Sequence, residues 1–163
     1  MPECLLCEEH KTNFLFKYHD GRKFYHCDHC GLKFVDRNSV LSYGQQKNVY
    51  DLHQNNIRSS GYEKFLIRLI NPIKDRLSPE SAGLDFGCGP YPMLMEIFQD
   101  YKFDNIMGYD PIYKADEEVL AKKYDFIVCC EVVEHFINVR ADLKLMSSLL
   151  HHDALLVIST GLH

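Results

Sequence analysis

Residues 82–93 read Ala-Gly-Leu-Asp-Phe-Gly-Cys-Gly-Pro-Tyr-Pro-Met. Ala82 to Phe86 is a short apolar run broken by one acid, Asp85, and Gly87-Cys88-Gly89-Pro90 follow it directly. Beyond them Met93, Leu94, Ile97 and Phe98 recur at helical spacing. The stretch predicts a strand, a tight glycine turn and a helix. Pro90 is expected at the first helical position, where its missing N–H would have no partner anyway. The two glycines let backbone approach a ligand, and a helix start presents free N–H groups. An acidic strand end beside such a turn points to a nucleotide or nucleoside site.

Downstream, Asn105–Asp110 predicts a second strand that also ends in an acid, and Asp110 falls 21 residues after Gly89. In a doubly wound sheet, ligands sit outside the carboxyl ends of the strands, and an acid at about this distance from the glycine turn holds ribose hydroxyls. The competing reading of Asp110 is a turn residue before Pro111. Tyr113–Lys123 is polar and predicts no good strand, and Asp116 within it reads as solvated. Tyr124–Cys130 is an apolar run of the kind that parallel sheets bury. It delivers Glu131 to the ligand side of the sheet. Asn138 is expected to cap a helix carrying Leu143, Met146, Leu149 and Leu150, and Ala154–Ser159 reads as the last strand.

Upstream, Phe65, Leu66, Leu69, Ile70, Ile73 and Leu77 form a helical stripe over Tyr62–Leu77, read as core packing, with a kink or break near Asn71 because of Pro72. Asp36–Asn56 is polar and reads as a linker, with Tyr43-Gly44 as a break. It leads into a helix around Val49–Ile57 that places Tyr50 and His53 on one face.

The N-terminus carries a different chemistry. Cys4-x2-Cys7 and Cys27-x2-Cys30 are separated by nineteen residues. Between them, Asp20-Gly21 divides two aromatic-rich runs, a strong hairpin signal. Two cysteine knuckles joined by a hairpin make a zinc ribbon. Four thiolates suit tetrahedral zinc, and the metal replaces a core that so short a segment cannot build. His10, His26 and His29 are surplus to that site. Cys88, Cys129 and Cys130 lie in apolar surroundings and read as small core residues in a reducing compartment.

Composition sets limits. The chain has 163 residues and is 46% hydrophobic, enough for one domain with a small appendage. The net charge is −5, and residues 1–40 are neutral, with six basic and six acidic side chains, so the excess lies in the remainder. Neither part has the basic footprint of a protein that grips phosphate backbones, so no nucleic-acid partner is expected. No apolar run approaches a membrane span, and Met1-Pro2-Glu3 does not open a signal peptide, so a cytoplasmic location and no membrane partner are expected.

With Leu84–Pro90, Asp110 and Tyr124–Phe136 in place, and Tyr50–Asn55 followed by Gly61–Leu66, the chain resembles class I S-adenosylmethionine-dependent methyltransferases. It looks closest to those with an N-terminal zinc-binding module, including sugar C-methyltransferase relatives. The resemblance implies an α/β, Rossmann-like doubly wound sheet over residues 62–163, a zinc ribbon over 1–37, and a linker with a capping helix over 38–61. It implies that Asp85, Gly87, Cys88 and Gly89 line the methionine and ribose end of S-adenosyl-L-methionine. It implies that Asp110 accepts from both ribose hydroxyls, next to Pro111, and that Glu131 and Val132 lie under the cofactor near the acceptor. Tyr50 and His53 match a motif that closes over the pocket. Where a base is needed, His53 and Glu131 are the candidates, with His135 a weaker one on a helix behind the site. The sheet is expected to lack the last strands of the family pattern, leaving Leu155–Ser159 as an apolar edge open to self-association.

The functional expectation is methyl transfer to a small-molecule acceptor, a sugar or another metabolite. Two other readings stay open. One is a catalytically weak cofactor-fold protein that binds a partner through its ribbon. The other, an RNA methyltransferase, is disfavoured by the missing basic patch.

Overall fold

The computed structural model describes residues 1–52 and 60–161. Strands β1 (Thr12–Lys17), β2 (Lys23–Cys27) and β3 (Lys33–Val35) form an antiparallel sheet in the order β1-β2-β3. The Asp20-Gly21 turn joins β1 to β2 as the sequence predicts, with Gly21 at φ 95°. The third strand was not predicted. Only Cys4, Tyr25, Cys27 and Phe34 make up the buried cluster of this sheet. A core that small needs a cross-link to persist.

The second sheet is parallel, in the order β5-β4-β6-β7. Its strands are β4 (Gly83–Phe86), β5 (Ile106–Tyr109), β6 (Tyr124–Cys130) and β7 (Leu150–Ser159). Alternation along β6 divides the core. Phe126 and Val128 face a cluster with α2 (Ser60–Lys74) and α3 (Met93–Asp100), holding Leu66, Ile70, Ile97 and Phe98. Ile127 and Cys129 face the opposite cluster, with Val119 of α4 (Glu117–Leu120) and with Met146 and Leu149 of α5 (Val139–Leu149). Helices on both faces of a parallel sheet make the fold doubly wound, as expected. The chain steps from β4 outward to β5, then crosses back to β6 on the other side. That reversal opens a crevice at the carboxyl ends of β4 and β6.

Several local expectations are corrected. Helix α3 starts at Met93 with Pro92 at its N-cap, so Pro90 lies in the loop and is not the first helical residue. Tyr43-Gly44 is not a break but the first turn of α1 (Tyr43–Tyr50). Ser42 caps that helix: its hydroxyl accepts from Gln45 N at 3.4 Å, and the Gln45 side chain answers the Ser42 N–H at 3.0 Å. This reciprocal pairing outweighs the helix cost of one glycine. The expected helix around Val49–Ile57 ends at Tyr50 as far as the described residues go. Helix α2 continues through Pro72 to Lys74 instead of breaking near Asn71. Pro72 forfeits its own bond to the Arg68 carbonyl, but only two helical residues follow it. Strand β7 begins at Leu150, not Ala154. It pairs Leu150 with Tyr124 and Leu155 with Phe126, so a bulge holding Asp153 at φ 63° absorbs the extra residues.

Among the described residues, no helix is long and apolar enough to cross a membrane.

Candidate active site

The glycine turn is anchored from below. Gly87 N and Cys88 N both donate to Tyr109 O, at 2.7 and 3.2 Å. Gly87 sits at φ 86°, and a Cβ there would lie 2.4 Å from Val132 Cγ2. Only glycine brings the turn this close to the segment after β6. Gly89 N then donates to Asp110 Oδ2 at 3.0 Å, while Ile112 N and Tyr113 N donate to Oδ1 at 2.8 and 3.0 Å. Asp110 therefore fastens two strand-end loops together. A carboxylate offers about four lone-pair sites, so the capacity left for a ligand lies mainly on Oδ2.

Around these loops is a cavity of about 500 Å³. Its floor comes from the segments after β4, β5 and β6, which bring together Gly87, Cys88, Gly89, Asp110, Pro111, Glu131 and Val132. Its roof comes from Leu41 and from α1, through Tyr43, Gln46, Val49 and Tyr50. Polar ties pin the roof on both sides. Gln46 Nε2 donates to the His135 carbonyl at 2.8 Å, and the Tyr113 hydroxyl donates to Asp51 Oδ1 at 2.7 Å. Lys47 bonds Asp51 at 2.6 Å and sits 4.9 Å from the Tyr113 ring centre. Those two bonds, to Lys47 and then Tyr113, hold the Asp51 carboxyl below its usual range. The Tyr50 ring lies 5.6 Å from that of Tyr113.

Of the sequence-predicted residues, Asp85 departs most from expectation. It is buried beneath the floor and is not on the cavity wall. Burial pushes its carboxyl up to about 7, with the Asp110 charge adding to the rise and Lys114 opposing it. Burial also pushes the Cys88 and Cys130 thiols up to about 12. They remain protonated at neutral pH and act as wall, not as nucleophiles. Cys130 is thus a cavity residue as well as a core residue, whereas Cys129 is buried outright.

Glu131 follows β6 at φ 54°, a left-handed conformation unusual for glutamate. Ser159 holds it there twice: Glu131 N donates to Ser159 O at 2.8 Å, and Ser159 Oγ donates to Glu131 Oε1 at 2.9 Å. The next residue along, Thr160, does the same for Glu134, with its Oγ1 donating to Oε2 at 2.9 Å. His135 lies on a short 3-10 turn, Val133–His135, and lines the cavity; it is not on a helix behind the site. His53 lies outside the described residues.

Sequence reasoning missed several wall residues. Tyr62 of α2 lines the cavity although that helix reads as pure core packing. The signal lay in Gly61–Leu66, part of the resembling stretch. Glu134, Asp142 and Tyr113 line it too, and no spacing rule marks them.

The N-terminal cysteines converge. Among the described residues, the Sγ atoms of Cys4, Cys7, Cys27 and Cys30 all lie within 4.8 Å of one another, with Cys4–Cys30 at 3.6 Å and Cys7–Cys27 at 3.5 Å. Tetrahedral zinc with bonds of about 2.3 Å sets its sulfurs about 3.8 Å apart. The cluster fits a zinc ion. The two knuckles match in backbone as well. Glu8 N bonds Cys4 O at 3.1 Å and Gly31 N bonds Cys27 O at 2.9 Å, with Glu8 and Gly31 both at positive φ. His10, His26 and His29 are not in the cluster; His26 bonds Asp28 at 3.2 Å.

Residues 58–163 match the family model described as Methyltransferase domain, well over half of the chain. No curated protein matches the chain.

Proposed function

The chain belongs to the methyltransferase domain family, and from that membership we propose that it transfers the S-adenosylmethionine methyl group to a small-molecule acceptor. One observation supports this most. The cavity opens where the strand order reverses, and its floor is made by the glycine turn, by Asp110 and by Glu131. About 500 Å³ is a volume suited to a cofactor-sized molecule.

The residues present fit the cofactor. Asp110 would hold the cofactor ribose through its remaining acceptor capacity, and Gly87 and Gly89 would admit backbone-close approach. Cys88, Pro111 and Val132 supply apolar wall. The cofactor carries its own leaving group, a sulfonium, so the protein's task is position and electrostatics. Tyr50 presses from the roof, and Glu131 accepts the proton that the acceptor gives up. The N-terminal cysteines hold zinc as a structural staple.

Calorimetric titration of the full chain with S-adenosylmethionine and S-adenosylhomocysteine tests the reading. Micromolar binding that Asp110→Ala abolishes is the expected result. No binding of either at millimolar concentration would refute it.

A further inference from the structure

We propose that the N-terminal hairpin binds single-stranded nucleic acid, stacking bases on its exposed rings while lysines hold the phosphates. The surface is separate from the cavity, whose lining begins at Leu41. The inference goes beyond the methyl-transfer reading and does not depend on it.

Phe14, Leu15, Phe16 and Tyr18 are each between 37% and 52% exposed. Apolar side chains gathered in water this way mark a contact surface. The core of the ribbon does not use them, since it is built from Cys4, Tyr25, Cys27 and Phe34. Successive strand residues point to opposite faces, so Phe24 turns away from Tyr25 and from that core. The register sets Phe16 opposite Phe24, with Leu15 as an extra residue on β1. The two rings stack at 4.8 Å and 16°. Tyr18 meets Phe24 edge-on at 6.5 Å, and the Arg22 guanidinium lies 5.5 Å from the Tyr18 ring centre and 5.9 Å from that of Phe24. Aromatic rings and guanidinium planes are the groups on which unpaired bases stack.

Charge points to the same occupant. Residues 1–40 are neutral in sum, but their charges are separated. Residues 11–24 hold four basic side chains and one acid, and the rest of that part holds two and five. Asp20 pairs with Arg22 at 2.7 Å. That leaves Lys11, Lys17 and Lys23, none of which forms an ion pair among the described residues. Lys17 and Lys23 are direct cross-strand partners, a like-charge pairing that costs stability. A lysine on an edge strand such as β1 guards against unwanted pairing. Strand β2 is central, so Lys23 has no such use. A phosphate held between the two ammonium groups offsets their repulsion.

An acidic peptide would neutralise the lysines but has no use for a row of ring faces. A lipid surface is entered by long apolar side chains, and of the four exposed residues only Leu15 is aliphatic. A single nucleic-acid strand uses both features, because phosphates and flat bases alternate along it.

The test is fluorescence anisotropy of dye-labelled oligouridylate and oligothymidylate, about 12 nucleotides long, titrated with the full chain at about 50 and 200 mM salt. Both should bind at micromolar chain, and an RNA duplex of the same length should bind at least about tenfold more weakly. Tighter binding of oligouridylate than of oligothymidylate identifies RNA as the source, and equal affinity means that bases and phosphates suffice. Phe16→Ala and Tyr18→Ala should each weaken binding by about tenfold. Lys17→Gln with Lys23→Gln should reduce the slope of log affinity against log salt by about 1.4, two phosphate contacts' worth. Unchanged thermal unfolding reports that each variant folds. Duplex binding equal to single-strand binding, an affinity indifferent to both ring substitutions, or no binding at about 1 mM chain would each overturn the assignment. So would capture by vesicles containing about one-third phosphatidylserine when neither oligonucleotide binds.

Discussion

The amide of Gly89 donates to Asp110 Oδ2 across 3.0 Å, joining the turn after one strand to the end of the next. Asp110 is thus a brace, and under the proposed function it is a ligand group as well. Asp110→Asn retains shape but replaces one oxygen by a donor, which either faces Gly89 N–H or leaves Ile112 and Tyr113 N–H short of an acceptor. Loss of a hydrogen bond to a charged group costs about 1.5–3 kcal/mol. Cofactor affinity should fall by roughly 10- to 100-fold, with a lower melting temperature, both readable from calorimetry.

Gly87 is the most constrained glycine of the site, by its φ of 86° and by Val132 at 2.4 Å from a would-be Cβ. Gly87→Ala should destabilise by about 2–4 kcal/mol, left-handed strain plus overpacking. Gly87→Ala combined with Val132→Ala should recover part of that loss in thermal unfolding. No recovery would mean that strain, not crowding, dominates.

Asp85 gives the fold a pH dependence of defined sign. Its folded carboxyl titrates at about 7, above its ordinary value of 3.8, so the folded state holds the proton that the unfolded state releases. Stability is therefore greatest below pH 4 as far as this group is concerned, and declines as pH rises to about 7, by on the order of 4 kcal/mol. Asp85→Asn should flatten that slope in denaturant titrations. A cation entering the cavity above it favours the carboxylate, so cofactor binding near pH 6.5 should release protons. Calorimetry in buffers of different ionisation enthalpy measures this.

The four-thiol cluster should bring about one zinc per chain. Cys27→Ser should lose most of it, and residues 1–37 should become sensitive to protease while the parallel sheet stays protected. Full zinc retention in Cys27→Ser would rule out the four-thiolate site.

Strand β7 forms one edge of the parallel sheet, and Leu156 and Ile158 on it are about 40% exposed. We propose that this edge drives self-association at high concentration. Leu156→Lys with Ile158→Lys should shift the sedimentation profile toward monomer.

The sequence revealed features carried by local chemistry. Cysteine spacing marked the metal cluster, and an acid at a set distance from a glycine turn marked Asp110. Asn138 read as a cap, and its Oδ1 does accept from Ala141 N at 3.1 Å. Features that depend on long-range contact were hidden. Tyr62 sits on an apolar stripe whose members Leu66, Ile70 and Ile73 face the core, whereas Phe65, read as core, is exposed and stacks on Tyr62 instead, so periodicity averaged the cavity end of the helix away. The start of α1 was misread because Tyr43-Gly44 looks like punctuation when the Ser42–Gln45 pairing is overlooked. The burial of Asp85 depends on the strands to either side, which one strand's sequence does not record.

The region matching the methyltransferase model begins at residue 58, yet Leu41, Tyr43, Gln46, Val49 and Tyr50 form the ceiling of the cavity. No residue of α1 is buried, so this ceiling rests on hydrogen bonds such as Gln46 to His135, not on a core of its own. A protein trimmed to the matching boundary would keep every strand of the parallel sheet and become a bowl without a cover. The segment between the ribbon and the sheet is therefore part of the cavity's enclosure, and the family boundary cuts through it.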